Sequence, residues 1–279
     1  MHALPLAIAL VAAAALAPSL LRALQEAQHV KPNYRGRTLP FPLGALTPAA
    51  ALVALVPLAL LQQLGSSEVF HAEAVAVALY ALGVIALGLL DDMLGARPGR
   101  PAPRGWRGHS AAVLRGELST GALKAAGSLG LALFVTSFQA LSDARWLLAS
   151  AVLVLATHFF NLLDLRPGRA TKALLILGAG LLIGSQDTRP LWSLGLFAGP
   201  ALVAGFYDLR ERAMLGDSGA SLLGALAGLW LVLTLSGTGQ AIALALLAAL
   251  TVYGELYSLS ALIERTRALR RLDSWGRPS

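Results

Sequence analysis

Four short clusters hold most of the residue types that bind phosphate or the metal ions that accompany it. The first is Lys31-Pro32-Asn33-Tyr34-Arg35-Gly36, followed by Pro40 and Gly44. The second, Gly88-Leu89-Leu90-Asp91-Asp92-Met93-Leu94-Gly95, ends an apolar run with two carboxylates. Successive side chains on a helix diverge by about 100°, so Asp91 and Asp92 can face different ligands, as a site with two phosphate-bearing substrates requires. Two acids there are either a mark of the water interface or functional groups. Acids at a helix C-terminus oppose the macrodipole, which favours function.

The third cluster is Asn161-Leu162-Leu163-Asp164, with Arg166, Arg169 and Lys172 beyond it. Residues three apart share a helix face, so the Asn161 amide and the Asp164 carboxylate converge on one ligand. The basic residues either meet phosphate or only mark the inner side of a membrane. In the fourth, Gly216-Asp217-Ser218-Gly219-Ala220-Ser221 precedes an apolar run. A helix N-terminus there offers backbone N–H groups to phosphate, and Asp217 either holds a divalent cation against that phosphate or caps the helix. Carboxylates for a metal, cations for phosphate charge and a helix terminus for a diphosphate together describe a Mg²⁺-dependent site, Mn²⁺ being an admissible substitute. The chain has no cysteine, which excludes thiolate nucleophiles, disulfides and Cys-bound metals.

The elements that carry these clusters are membrane helices. Of 279 residues, 56% are hydrophobic and 13% charged, more apolar surface than one soluble core can hide. Apolar runs of spanning length lie near 3–24, 44–64, 72–90, 120–141, 146–163, 171–186, 190–206, 219–236 and 240–263. They predict an all-α polytopic protein with about nine transmembrane helices. The short pair at 171–186 and 190–206 opens a range of eight to ten. Ala3 to Leu21 lacks a basic leader and reads as an uncleaved first helix. Residues 1–279 form a single membrane domain with functional loops at about 25–43, 91–119, 161–172, 207–219 and 264–279, and no internal repeat emerges.

Charge gives the orientation. With nine crossings, 20 of the 22 basic residues fall in loops on one side, and only Arg145 and Arg189 fall opposite. The positive side is cytoplasmic, so the N-terminus is outside, the C-terminus inside, and all four clusters face the cytoplasm. The net charge of +7 therefore serves topology rather than nucleic acid.

In the order and spacing of these motifs, from about Lys31 to Gly224, the chain resembles the polyprenyl-phosphate N-acetylhexosamine-1-phosphate transferases, the family of the bacterial muramyl-pentapeptide translocase and of the enzymes that start O-antigen and teichoic acid synthesis. The resemblance implies transfer of a sugar-1-phosphate from a UDP-sugar to undecaprenyl phosphate with release of UMP, in a bacterial inner membrane, with homodimers known in the family. It makes Asp91 and Asp92 the paired acids, one of which handles the lipid phosphate. Asn161 and Asp164 become the Asn-x-x-Asp motif near the nucleotide, and Asp217 the Mg²⁺ ligand. Lys31 and Asn33 match the first loop, and Lys124, in Leu118-Ser119-Thr120-Gly121-Ala122-Leu123-Lys124, matches a phosphate-facing lysine. On this reading Asp91, Asp92 and Asp164 are catalytic, while Lys31, Asn33, Lys124, Asn161, Arg166 and Arg169 bind substrate.

The chain also departs from the family. Where relatives continue into Asp-Gly-Leu-Asp-Gly, this sequence has Asp164-Leu165-Arg166-Pro167-Gly168-Arg169, and the tail from Glu264 to Ser279 lacks the His-rich signature associated with sugar recognition. Two other classes therefore stay open: a silent relative that binds lipid phosphate or scaffolds an envelope complex, and a transporter or flippase. Transporters hold polar groups near the membrane midplane, whereas here they sit at one edge. Glu255, within the last apolar run, is costly in lipid and is expected to face the bundle. His158, one turn before Asn161, is read as near the site or as a packing residue.

Overall fold

The structure, a computed structural model, describes residues 2–65, 68–95, 108, 114–116 and 119–278. Helix α1 spans Leu4–Glu26. A two-stranded antiparallel hairpin follows, β1 Val30–Pro32 and β2 Thr38–Pro40, with Lys31 opposite Leu39. A 3₁₀ turn, Leu43–Ala45, leads into α2 Leu46–Leu64, and α3 runs Ala74–Leu94. Next come α4 Thr120–Thr136, α5 Asp143–Leu163, α6 Arg169–Ser185, the short α7 Arg189–Ser193 and α8 Gly195–Leu209. The chain ends with α9 Gly216–Thr234, α10 Gly237–Leu256, α11 Leu259–Arg265 and α12 Arg267–Ser274.

Among the described residues, six helices are long and apolar enough to cross a membrane: α1, α2 with its 3₁₀ turn, α3, α5, α9 and α10. Helices α4 and α8 are apolar but shorter. The chain is thus a helical, membrane-embedded protein. Each of the nine apolar runs falls on a helix, with altered bounds. The run at 190–206 breaks between α7 and α8, and the run at 240–263 breaks at Tyr257, where φ −134° and ψ 161° end α10. The first loop, at about 25–43, contains the β1–β2 hairpin.

Small residues set the packing. Helix α9 is nearly all buried and lies against α5, α3 and α6. A methyl at Gly224 would fall 2.6 Å from Thr157 Cα, and one at Gly228 would fall 3.1 Å from Leu153 Cα, so glycines four apart bring the α9 and α5 backbones together as in lipid-embedded helix pairs. Helix α1 buries Ala9, Ala13 and Ala17 and packs on α8 and α2, with Gly195 and Gly199 pressed on Leu6 and Leu10. At the end opposite the four clusters, His2 stacks on His71 with ring centroids 4.4 Å apart.

Candidate functional site

Two glycines explain how the clusters meet. A Cβ on Gly44 would overlap the Gly219 backbone, and one on Gly88 would overlap the Ser218 backbone. The 3₁₀ turn and α3 therefore both touch the start of α9. Main-chain hydrogen bonds add to this: Met214 N–H donates to Pro40 O at 2.9 Å, Leu43 N–H to Met214 O at 2.8 Å and Gly44 N–H to Leu215 O at 2.9 Å. The segment after the hairpin is thereby stitched to the loop that carries Asp217.

Lys124 stands where α3, α4, α5 and α9 meet. Its Nζ donates to Asp217 Oδ1 at 2.6 Å, Asn161 Oδ1 at 3.1 Å and Asp91 Oδ2 at 3.3 Å. An ammonium has three donors, and each of them reaches an oxygen from a different helix. Asn161 is itself fixed: its Nδ2 donates to Thr157 O at 2.9 Å and to Ser221 Oγ at 2.8 Å. The Asp217 side chain is 44% exposed, against 15% for Lys124 and 18% for Asp91. Asp217 is the member of the group that water or a ligand reaches.

The adjacent acids of α3 do different things. Asp91 turns to Lys124, whereas Asp92 is buried. Asp92 accepts from the Asp217 N–H at 2.7 Å, the Ser218 N–H at 3.0 Å and the Ser218 Oγ at 2.7 Å. It caps α9 from another helix, holding two of the N–H groups that the sequence offers to phosphate. Asp92 thus fixes the terminus on which Asp217 rides.

Asp164 follows the last residue of α5 and is half-buried. Among the described residues its carboxylate accepts no hydrogen bond. Burial, then the nearby Asp208, Asp217 and Asp92 carboxylates, push it well above the usual carboxylate range, with Lys124 opposing. The cost of charging it is the cost of crowding acids where little water reaches.

The remaining candidates gather elsewhere. Asn33 Nδ2 donates to Glu211 Oε2 at 3.3 Å, and its Oδ1 accepts from the Arg35 and Arg37 N–H groups at 2.9 and 3.0 Å, so it shapes the hairpin turn. Tyr34 OH also donates to Glu211, at 3.1 Å. Lys31 Nζ lies 3.8 Å from the Phe41 ring centroid. Arg166 meets Glu264 at 3.0 Å and stacks 4.5 Å from the Tyr34 ring centroid. Arg169 is buried, with Nε 2.9 Å from Asp273 Oδ1, Nη2 3.1 Å from Asp273 Oδ2 and Nη1 2.9 Å from Ser260 Oγ. Lys172 caps the end of α12 by donating to Leu272 O at 3.0 Å and Asp273 O at 2.6 Å. The basic residues of the third cluster thus tie the C-terminal tail to the loop after α5.

Sequence reasoning passed over Asp208, Glu211 and Asp273. Asp208, on α8, accepts from the Gly168 N–H at 2.6 Å; Gly168 has φ +72° and abuts Leu209, a left-handed, crowded position suited to glycine. Glu211 has a fully buried side chain facing Arg35 and Arg37. The available signal was two acids among the arginines of a loop otherwise read only for its positive charge. Arg97, Arg100, Arg104, Arg107, His109 and Leu118 lie outside the described residues. Glu255 pairs with His158, Nε2 to Oε1 3.3 Å, which gives the acid of the last apolar run its partner.

The chain matches no protein-family model and no curated protein.

The donor set fits a hard divalent cation. Oxygens of Asp217, Asp91 and Asn161 already converge on one positive charge, that of Lys124. Among the described residues no three His or carboxylate side chains form a closed cage. Mg²⁺ commonly takes one or two carboxylates and completes its shell with water and substrate phosphate, so an open oxygen set suits it better than a full cage.

Proposed function

We propose that the chain is a phosphoglycosyltransferase of the bacterial inner membrane, transferring a sugar-1-phosphate of the N-acetylhexosamine type from a UDP-sugar to a polyprenyl phosphate. The observation that carries the reading is the meeting of Lys124, Asp91, Asn161 and Asp217 from four helices at one end of the bundle. Nine crossings, an external N-terminus and a cytoplasmic C-terminus belong to the same proposal, supported by the charge asymmetry of the loops and by a helix under every apolar run.

In the reaction, an oxygen of the lipid phosphate attacks the β-phosphorus of the UDP-sugar. The bond from that phosphorus to the bridging oxygen breaks, and UMP leaves with the electron pair. Asp217, assisted by Asp91 and the Asn161 amide oxygen, would hold Mg²⁺, which supplies charge neutralisation for the diphosphate and the departing UMP. Asp91 orients the lipid phosphate or takes its proton. Lys124 lies within reach of any phosphate bound on Asp217 and contributes a fixed positive charge, in a site that needs little rearrangement to stabilise developing negative charge. Asp164, hard to ionise, is suited to hold a proton against a phosphate oxygen or the nucleotide. Asp92 acts through α9 as a positioning residue.

A silent lipid-phosphate binder is the second reading, favoured by the engagement of Arg166 and Arg169 with Glu264 and Asp273. UMP release separates the two. Purified protein, undecaprenyl phosphate, Mg²⁺ and a panel of UDP-sugars are expected to yield UMP, with turnover lost in Asp91→Asn and Asp217→Ala. Silence across the panel from folded protein would replace the transferase with the binder.

A further inference from the structure

The tail carries a surface that the proposed chemistry does not use. Helix α12 follows closely on α10 and α11, and Asp273 anchors it to Arg169 and Arg277. The Arg277 Nε donates to Pro167 O at 2.9 Å, and Arg35 Nη2 donates to Pro278 O at 3.2 Å. One flank of the helix is thus fixed to the protein. Arg267, Arg270 and Arg271 are exposed, with no ion-pair partner among the described residues, and Arg265 at the end of α11 is likewise exposed and unpaired. On a helical wheel these three α12 arginines fall within about 100° of one another, and Leu269 and Leu272 lie on the opposite side. Both leucines are 40% exposed, and Trp275, just past the helix, is 71% exposed.

We infer that α12 is an interfacial helix that docks on anionic lipid headgroups of the leaflet in which α10 ends. A basic stripe beside uncovered Leu and Trp side chains is the composition of a helix lying in the headgroup region. Trp favours that depth, and unpaired arginines close to a span meet negative lipid without having to break an internal ion pair. Apolar side chains beside four unpaired arginines match a bilayer, which offers negative charge and hydrocarbon within a few ångströms. The inference rests on the chain being membrane-embedded and stands whether or not it transfers sugar phosphate.

The test is hydrogen exchange of residues 266–276 in the full-length protein, held in nanodiscs of phosphatidylcholine alone or with a third phosphatidylglycerol. Each arginine near an anionic surface is worth roughly five-fold in affinity, so the segment is expected to exchange at least about tenfold more slowly with phosphatidylglycerol. The combined variant R265Q/R267Q/R270Q/R271Q should remove the difference while leaving exchange in phosphatidylcholine unchanged. In the wild type, roughly molar salt should also remove it, since screening then acts within about 3 Å. Equal exchange in both lipids, or a difference that survives the four substitutions or the salt, overturns the assignment. Should the variant fold poorly, the salt series on the wild type decides alone.

Discussion

Two cationic centres lie at the same end of the bundle and are built to opposite plans. Lys124 sits among Asp217, Asn161 and Asp91, one of which is nearly half exposed. Arg169 sits in a planar, two-pronged grip on Asp273, with Ser260 and Arg277 completing the contacts. The Arg169 pair is nearly dry, with side chains 6% and 12% exposed. Bidentate guanidinium–carboxylate geometry fixes orientation, whereas an ammonium on a flexible stem is a movable point charge. The comparison teaches that proximity of charges does not by itself mark a reaction site. A closed network whose donors and acceptors are all matched holds structure, and an open one whose acid still faces water can exchange a partner.

Breaking the closed network should have the larger effect on folding. Arg169→Met leaves Asp273 with Arg277 alone and removes two of the four hydrogen bonds to a carboxylate in a poorly hydrated place. The expected loss is about 3 kcal/mol, within the range for removing one member of a buried ion pair. It should appear as a lower thermal midpoint in detergent and as proteolytic release of the tail. Residual turnover per folded molecule should persist. A midpoint equal to that of the wild type would mean that the tail contributes nothing to the fold.

Lys124→Met probes the open network and should invert the pattern. Without the ammonium, UMP formation is expected to fall about a hundredfold, roughly 2.7 kcal/mol of transition-state stabilisation. The midpoint should move little, because water reaches Asp217 and solvates its charge. A variant that keeps full turnover would remove Lys124 from the chemistry, and one that unfolds would place it with Arg169 as a structural cation.

Much of this architecture was legible in the residues. Every apolar run marked a helix, because twenty apolar residues in a row admit few alternatives. The clusters at Asp91, Asn161 and Asp217 came together at one end because alternate loops share a side. Less legible was which member of a pair does what. Nothing in Asp91-Asp92 tells that one turns to Lys124 and the other caps α9; that division follows from the close approach permitted at Gly88, a tertiary contact. Arg169 and Lys172 were open to phosphate contact or to marking the inner side because their partners, Asp273 and the last carbonyls of α12, lie about a hundred residues away. The break of α10 at Tyr257 was hidden because the residues on both sides are apolar, and hydropathy does not register a change of direction.

The smallest effect sharpens the contrast most, because Asp164, beside the open network, and Asp273, within the closed one, should respond to pH with opposite sign. Asp164 is pushed above the ordinary carboxylate range by burial and by neighbouring acids. Between the ordinary value of about 3.9 and its raised value, the folded chain keeps a proton that the unfolded chain has lost, so stability falls as pH rises through that window. For Asp273, burial raises the carboxyl, but the hydrogen bonds from Arg169 and Arg277 outweigh it and hold the group below its ordinary range. Its contribution is complete above about pH 3.9 and is lost as pH falls toward the depressed value. Thermal midpoints measured from acid to neutral pH should therefore separate the two substitutions. Asp164→Asn is expected to raise the midpoint at neutral pH while lowering turnover, since the amide keeps the shape and sheds the charge. Asp273→Asn is expected to lower the midpoint at neutral pH and to flatten the acid limb. If the profile of Asp164→Asn superimposes on that of the wild type, neither burial nor the neighbouring acids strain the Asp164 carboxylate, and its proposed part beside the open network falls.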